Sequence, residues 1–179
     1  MWKKIILLLI YLLICILIYQ KYTNQEPTNI ITSLKDRIST PSIKEIPIGQ
    51  LIIPKLSLNE ELYQKSSSNN NVEKHVTILS PSKDPAQNNT TIFIAAHSGT
   101  GKIAYFKNLD KLTIGDQINL IYNSKHYTYI VKDSWETKKT GTISVPKENT
   151  NQLILTTCSP KRDGYQLIIN AHIKRANSS

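Results

Sequence analysis

Cysteine is scarce in this chain, with only two in 179 residues. Cys15 lies in an apolar run near the N-terminus, whereas Cys158 ends an apolar, strand-like segment far along the chain. No CxxC pair or His–Cys cluster has the spacing of metal ligands, so we predict neither a metal site nor a cofactor. If the apolar run enters a membrane, the two thiols cannot meet in one molecule. Cys158 is then a candidate nucleophile or an intermolecular disulfide partner.

Acidic residues are also few, with 13 Asp and Glu against 22 Lys and Arg, which gives a net charge of +9. The lysines are scattered, and the chain contains no nucleic-acid-binding motif, so nucleic acid is not a predicted partner. A solvated basic surface is the simplest explanation of the charge. Such a surface also suits a protein that works near anionic polymers or lipid headgroups.

The only long hydrophobic run lies at the N-terminus. Ile5–Tyr19 contains no charged residue and would span about 22 Å as a helix, against about 30 Å for a hydrocarbon core. Trp2 and Tyr22 can lie at the interfaces and flanking lysines can reach the headgroups, which makes up the difference. We therefore predict a membrane anchor over residues 1–20. A cleaved signal peptide is the alternative, but YQKYTN lacks the small residues of a cleavage site.

The charges around this run predict its orientation. Lys3, Lys4 and the terminal amine favour a cytoplasmic N-terminus, and Lys21 opposes them. We therefore expect a single-pass protein of the cell membrane whose remaining residues lie outside. Residues 21–47 are polar and contain three prolines, which predicts a stalk, and Thr28–Ile38 has the pattern of a short helix within it.

From residue 48 the pattern changes to short β-strands. Residues 105–112 suggest a short helix, and Asn123–Lys125 resembles a hairpin turn. With no βαβ unit and no repeat, residues 48–175 are predicted to form an all-β sandwich or small barrel. Six β-branched or aromatic runs are bounded by turn residues, namely 48–54, 91–97, 116–122, 126–133, 151–157 and 165–173.

Two residues that could perform chemistry stand where predicted strands end. His97 ends TIFIAAH before SGTG, and Cys158 follows NQLILTT before Ser-Pro. Two strands can bring both side chains to one rim of a barrel, where a thiolate is a nucleophile and an imidazolium can protonate a leaving amine. Taken singly, each residue also has a structural explanation, since buried cysteines are usually inert. We predict that His75, His126 and His172 are structural or solvated.

These segments resemble a known family. IAAHSGTG at 94–101, followed by LTTCSP at 155–160, is similar to the sortases, which are cysteine transpeptidases of Gram-positive-type surfaces, and most similar to class A or D. The resemblance extends over about Ile48–Ile173 and includes IGQLIIPKLSLNEELY and YFKNLDKLTIGDQI. ILTTC departs from the family's TLxTC pattern at Ile154. The resemblance implies a sortase-like closed β-barrel with short helices, preceded by one transmembrane helix.

The resemblance also implies a mechanism. Cys158 would attack the carbonyl of an LPxTG-like sorting motif in a surface protein, and His97 would protonate the departing amine. An amine acceptor such as a cell-wall precursor would then resolve the thioester. Thr157 would contact the substrate, and any dependence on calcium stays open.

The family's third catalytic residue has no obvious counterpart. The family places an arginine on the last strand, where this chain has Gln166. Alternation along the strand directs Gln166 to the outside of the barrel. Its amide could donate to a substrate carbonyl or a developing oxyanion, but without a charge. Arg162 in the preceding loop could supply the charge, so both are candidates.

Three other interpretations stay open. A cysteine peptidase would release the peptide to water instead of an amine. A non-catalytic peptide-binding domain would explain the missing arginine. A disulfide-linked dimer through Cys158 would give the thiol a structural role. The chain has no Asp-Pro-aromatic lid motif before the barrel, which disfavours a pilus-polymerising enzyme.

Overall fold

The structure is a computed structural model that describes residues 2–23 and 45–174. Most of the predicted stalk and its short helix fall in residues 24–44, outside the described residues. The chain divides into two compact units, Met1–Lys44 and Glu45–Ser179.

The first unit contains helix α1, Trp2–Thr23. The segment Lys4–Tyr22 has a mean hydropathy of 2.3, and within the described residues this is the one helix long and apolar enough to cross a membrane. Its 22 residues measure about 33 Å, more than a hydrocarbon core of about 30 Å. The large apolar side chains described along it are all exposed. An apolar surface on every face is typical of a helix that lies in lipid.

The second unit is one eight-stranded sheet in the order β2-β1-β5-β6-β8-β7-β4-β3. All neighbours are antiparallel except β4 and β7, which are parallel. The sheet curls into a nearly closed barrel, because every strand contributes to a single core. The strands are β1 Gly49–Ile53, β2 Leu58–Leu62, β3 Thr77–Ile78, β4 Thr91–Ala95, β5 Gln117–Tyr122, β6 Lys125–Lys138, β7 Gln152–Cys158 and β8 Tyr165–Ile173.

The predicted all-β barrel is confirmed, and each of the six predicted runs contains a strand. The hairpin turn is also present, with Asn123 and Ser124 at φ of 48° and 61°, as a two-residue type I′ turn requires. The helix predicted over 105–112 is only a 3₁₀ turn at Leu109–Lys111. β6 continues to Lys138, beyond the run that predicted it.

Alternation along the strands separates two faces of the sheet near Cys158. Ile92, Ile94 and Ala96 point into the core together with Leu153 and Leu155. Cys158 lies three residues beyond Leu155, an odd spacing, and therefore on the outer face. This outer face is where the candidate functional side chains meet.

Candidate active site

The parallel pairing of β4 and β7 brings His97 and Cys158 together. The register runs from Thr91 opposite Gln152 to Ala95 opposite Thr156, and the N–H of Ala96 donates to the Thr156 carbonyl over 3.3 Å. Continued for two residues beyond the end of β4, the same register would set His97 beside Cys158. Adjacent strands lie about 4.8 Å apart, so the two predicted catalytic residues lie at neighbouring strand ends on one rim of the barrel.

An acidic residue contacts the His97 ring. Nε2 of His97 lies 2.9 Å from Oε1 of Glu73, and the histidine side chain is 37% exposed. With the proton on Nε2, the ring donates a hydrogen bond to the Glu73 carboxylate, and Nδ1 is the ring nitrogen left to exchange a proton. The carbonyl of His97 accepts the N–H of Phe106 over 2.9 Å, which fixes the backbone just after β4.

Cys158 is the last residue of β7, and its thiol is exposed. Across the antiparallel ladder it faces Gln166 of β8. The next pair, Ser159 and Tyr165, is joined by a backbone hydrogen bond of 2.9 Å. Cys158 and Gln166 therefore form a non-hydrogen-bonded pair, in which side chains approach most closely. Nζ of Lys139 also lies 3.5 Å from Sγ of Cys158.

The two candidates for the third role differ in their surroundings. Gln166 is 9% exposed, and its Nε2 donates to the carbonyl of Thr142 over 3.3 Å. The guanidinium of Arg162 lies 3.6 Å from the centre of the Tyr165 ring, a cation–π arrangement. Gln166 is thus adjacent to the thiol, whereas Arg162 contacts the ring of Tyr165, the first residue of β8.

The loop after Cys158 is organised by one hydroxyl. Ser159 donates to the carboxylate of Glu136 on β6, and its Oγ accepts the N–H groups of Lys161 and Arg162, each over 3.0 Å. Because the loop begins at the residue after Cys158, these hydrogen bonds fix the path of the backbone as it leaves the site.

Two neighbouring threonines precede Cys158, and both are 5% exposed. Thr157 donates to the carbonyl of Ala96 over 2.7 Å, which ties β7 to β4 beside the two reactive residues. Oγ1 of Thr156 lies on the outer face and has no hydrogen-bond partner among the residues described. The predicted contact of Thr157 with substrate stays a prediction.

The remaining histidines have structural partners or lie elsewhere. The His75 ring is tilted against the Tyr63 ring, with 4.8 Å between the ring centres. Nε2 of His172 lies 3.3 Å from Oε2 of Glu148. His126 is exposed on β6, opposite Ile121 of β5. Within residues 2–23 and 45–174, no group of three or more His, Cys, Asp or Glu could hold a metal ion.

Residues 51–174 match the family model of the sortase domain. This chain belongs to the sortase family. A search of curated protein sequences gives no significant match, but solved sortase structures are similar. Sortase A from Corynebacterium diphtheriae, a lid mutant, is 21% identical with a TM-score of 0.65, over 76% of this chain and 75% of that one.

Two streptococcal sortases are similar to the same extent. Sortase C of Streptococcus pneumoniae is 22% identical, with a TM-score of 0.64 over 74% of this chain and 69% of that one. A pilus-related sortase C of Group B Streptococcus is 25% identical, with a TM-score of 0.62 over 72% and 68%. The sortase fold that the sequence predicted is therefore confirmed.

Two residues near the candidate site of this sortase, Glu73 and Lys139, could not be identified from the sequence. Glu73 lies in an irregular segment, and Lys139 follows the unpredicted end of β6. Each reaches the site only through the folded sheet, so no local motif could have identified either residue.

Proposed function

We propose that this sortase is a membrane-anchored cysteine transpeptidase. It would cleave an LPxTG-like sorting signal in surface proteins and transfer the acyl group to an amine such as a cell-wall precursor. One observation supports the proposal: the exposed Cys158 thiol ends β7, and His97 follows the end of β4, the strand paired with β7 in parallel. A nucleophile beside a base that a third group orients is the arrangement of covalent acyl transfer.

The first half-reaction forms the thioester. The Cys158 thiol gives its proton to Nδ1 of His97, and the thiolate attacks the carbonyl carbon of the scissile peptide bond. When the tetrahedral intermediate collapses, the C–N bond breaks and His97 returns the proton to the leaving amine. The acyl group is then held on Sγ, and the C-terminal fragment departs.

The second half-reaction transfers the acyl group. An incoming amine attacks the thioester and loses a proton to His97, and Cys158 leaves as the thiolate. Water in place of the amine would give the peptidase reaction, with the same intermediate. The acceptor therefore decides between transpeptidase and hydrolase, and the two outcomes can be measured in one assay.

The exposed apolar helix supports the anchoring part of the proposal. α1 is long enough to span a bilayer, and residues from Glu45 onward form a separate compact unit with its own core. We propose the orientation that Lys3 and Lys4 favour, with the N-terminus in the cytoplasm and the barrel outside.

The test uses the full chain in detergent with Cys15→Ala, so that Cys158 is the only thiol. Intact-mass spectrometry would follow a pool of LPxTG-like peptides with and without a glycine-based amine. We expect an acyl adduct on Cys158 that turns over into amine-capped product, and no adduct with Cys158→Ala. His97→Ala should lose turnover, whereas His126→Ala, an exposed histidine on β6, is the matched control.

The outcomes separate the interpretations. An adduct that yields only hydrolysed peptide would favour a peptidase. If no peptide forms an adduct although the thiol still reacts with iodoacetamide, the transpeptidase proposal is contradicted and a binding domain is favoured. A dimer that is sensitive to reductant on non-reducing electrophoresis would point to the structural disulfide.

The orientation has its own test. In intact cells that express the Cys15→Ala chain, a membrane-impermeant maleimide should label Cys158 without permeabilisation. Labelling that requires permeabilised cells would contradict the proposed topology.

A further inference from the structure

A lysine contacts the reactive sulfur. Nζ of Lys139 lies 3.5 Å from Sγ of Cys158, within hydrogen-bond distance for sulfur. A positive charge at this distance favours the thiolate over the neutral thiol. We propose that Lys139 is the cationic catalytic residue of this site, which stabilises the Cys158 thiolate and then the oxyanion that forms on the carbon bonded to it. The second part rests on the proposed function, but the first does not.

The sheet positions the start of this lysine. β8 lies between β6 and β7, and Lys138 at the end of β6 pairs with Tyr165 of β8. The N–H of Lys139 then donates to the carbonyl of Gly164 over 2.8 Å. The backbone of Lys139 is therefore held in the sheet's register, although it follows the last residue of the strand.

The side chain crosses one strand to reach the sulfur. Thr137 pairs with Gln166, and Gln166 pairs with Cys158 on its other side. Lys139 lies two residues beyond Thr137, on the same outer face of the sheet as Gln166 and Cys158.

The other candidates for a positive charge are engaged or neutral. Gln166 has no charge and donates to the Thr142 carbonyl. The Arg162 guanidinium lies on the Tyr165 ring. His97 gives its proton to the leaving amine during the reaction, so its charge is lost when the amine departs. Lys139 is the cation that keeps its charge throughout.

The proton balance is unchanged by this role. Lys139 donates a hydrogen bond to the thiolate and transfers no proton. After the carbon–sulfur bond forms, the negative charge moves to the oxygen of the attacked carbonyl group, whose carbon is now bonded to Sγ. The flexible four-carbon stem of lysine lets Nζ follow that charge. On collapse of the intermediate, the C–N electrons leave with the amine, which receives its proton from His97.

The other charged groups near the thiol are few. Glu136 is occupied by the Ser159 hydroxyl. The charged or titratable groups on the segments around Cys158 are His97 after β4, Glu73 in contact with it, Glu136 of β6, Lys139 after β6, and Lys161, Arg162 and Asp163 of the β7–β8 loop.

The test measures the thiol itself and needs no peptide. The full chain in detergent with Cys15→Ala would be alkylated with iodoacetamide across pH 5 to 10, alone and with three further changes. Lys139→Met keeps the length and removes the charge, Lys139→Arg keeps the charge, and Lys138→Met is the matched control one residue away. Circular dichroism would verify that each variant is folded.

We expect Lys139→Met to slow alkylation at pH 7 about threefold, because the nearby positive charge that stabilises the thiolate is lost and solvent screens the exposed pair. Lys139→Arg should retain most of the wild-type profile, and Lys138→Met should match it. High salt should slow alkylation of the wild type at pH 7 but change Lys139→Met little.

Two results would overturn the proposal. One is a Lys139→Met profile equal to that of the wild type. The other is an equal shift in Lys138→Met, which would mean that general surface charge is responsible.

Peptide acylation by the same variants separates this inference from the proposed function. A shifted alkylation profile without any peptide adduct in the wild type would retain the Lys139–Cys158 pairing and count against the transpeptidase. If Lys139→Met forms the peptide adduct as fast as the wild type does, the transpeptidase proposal stands and the proposed role of Lys139 is overturned.

Discussion

Oε1 of Glu73 lies 2.9 Å from Nε2 of His97, although the two residues are 24 positions apart in the chain. The contact joins the segment before β3 to the end of β4. It occupies one ring nitrogen of the histidine and leaves the other for proton exchange. His97 is thereby oriented by a group that belongs to neither of the two strands that bring His97 and Cys158 together.

Glu73→Gln should slow acyl transfer moderately. Glutamine keeps an oxygen that can accept the hydrogen bond but removes the negative charge beside the ring. Because the Glu73 side chain is 66% exposed, solvent screens the pair, and its contribution is about 1 kcal/mol or less. We therefore expect kcat/KM to fall by about fivefold at most.

The matched control for Glu73→Gln is Asp110→Asn, which removes an exposed acidic charge from the 3₁₀ turn at Leu109–Lys111. A fall of the same size in both variants would attribute the effect to net charge. If kcat/KM does not fall in Glu73→Gln, Glu73 has no role in acyl transfer.

Gln166→Ala should reduce activity more than Arg162→Gln. Gln166 pairs directly with Cys158 and positions the Thr142 carbonyl, so its loss disturbs the wall of the site. The Arg162 guanidinium lies on Tyr165. We expect kcat to fall about tenfold for Gln166→Ala and by less than twofold for Arg162→Gln. Tenfold is less than the loss of a direct oxyanion donor, which can cost about 10²-fold or more, because the Gln166 amide already donates to the Thr142 carbonyl.

Steady-state transfer kinetics on both variants would measure this difference. The reverse order, with Arg162→Gln the slower variant, would assign the third role to the loop and contradict the prediction.

The strands around His97 and Cys158 could be predicted because each is a short apolar run with turn residues at its ends. The pairing of the two residues could be proposed for the same reason, since strand ends meet at the rim of a barrel. The end of β6 could not be predicted. Asp133–Lys138 is polar except for Trp135 and has no alternating apolar pattern. It is a strand because it pairs with β8 after an irregularity between Val131 and Asp133.

That unpredicted extension is what brings Lys139 to the thiol. Glu73 was missed for a related reason, because it lies in a polar segment without periodicity and reaches His97 only in the folded chain. Residues identified by their own strand were predictable, whereas those that depend on long-range pairing were not.

Thr156→Val should stabilise the barrel. The buried Thr156 hydroxyl has no partner among the described residues, and an unsatisfied buried polar group costs about 1–3 kcal/mol. Valine has the same shape with a methyl in place of the hydroxyl, so we expect the free energy of unfolding to rise by about 1 kcal/mol. Urea unfolding of the full chain in detergent, followed by circular dichroism, would measure it.

The adjacent Thr157 supplies the control for this change. It is equally buried, but its hydroxyl donates to the Ala96 carbonyl over 2.7 Å. Thr157→Val leaves that carbonyl without its side-chain donor and should lower the free energy of unfolding by about 1 kcal/mol. If both variants change stability in the same direction, hydrogen bonding at these hydroxyls does not decide their effect.

The ion pair between Lys55 and Asp116 should make part of the barrel's stability dependent on acid pH. Nζ of Lys55 lies 2.6 Å from Oδ2 of Asp116, which also accepts the N–H of Thr113 over 2.7 Å. Although partial burial opposes it, hydrogen bonds from Lys55 and Thr113 lower the pKa of Asp116 below 3.8. The pair links the turn after β1 to the turn before β5.

Because the pKa of Asp116 is lower in the folded chain than in the unfolded one, the stabilisation is complete above the unfolded value of about 3.8 and is lost as the pH falls through the folded value.

Asp116→Asn keeps an oxygen acceptor and removes the charge. With Lys55 41% exposed, solvent screening limits the expected loss to about 0.5–1 kcal/mol at pH 7. The difference from the wild type should shrink as the pH falls below 3.8 and should vanish once the wild-type carboxyl in the folded chain is protonated too. Lys55→Met should give a similar loss at pH 7, and the double variant should lose little more than either single one, because both remove the same pair. Urea unfolding at pH 7 and pH 3 would measure all four chains, and a deficit of Asp116→Asn that persists undiminished at pH 3 would mean that packing, not charge, makes this carboxyl stabilising.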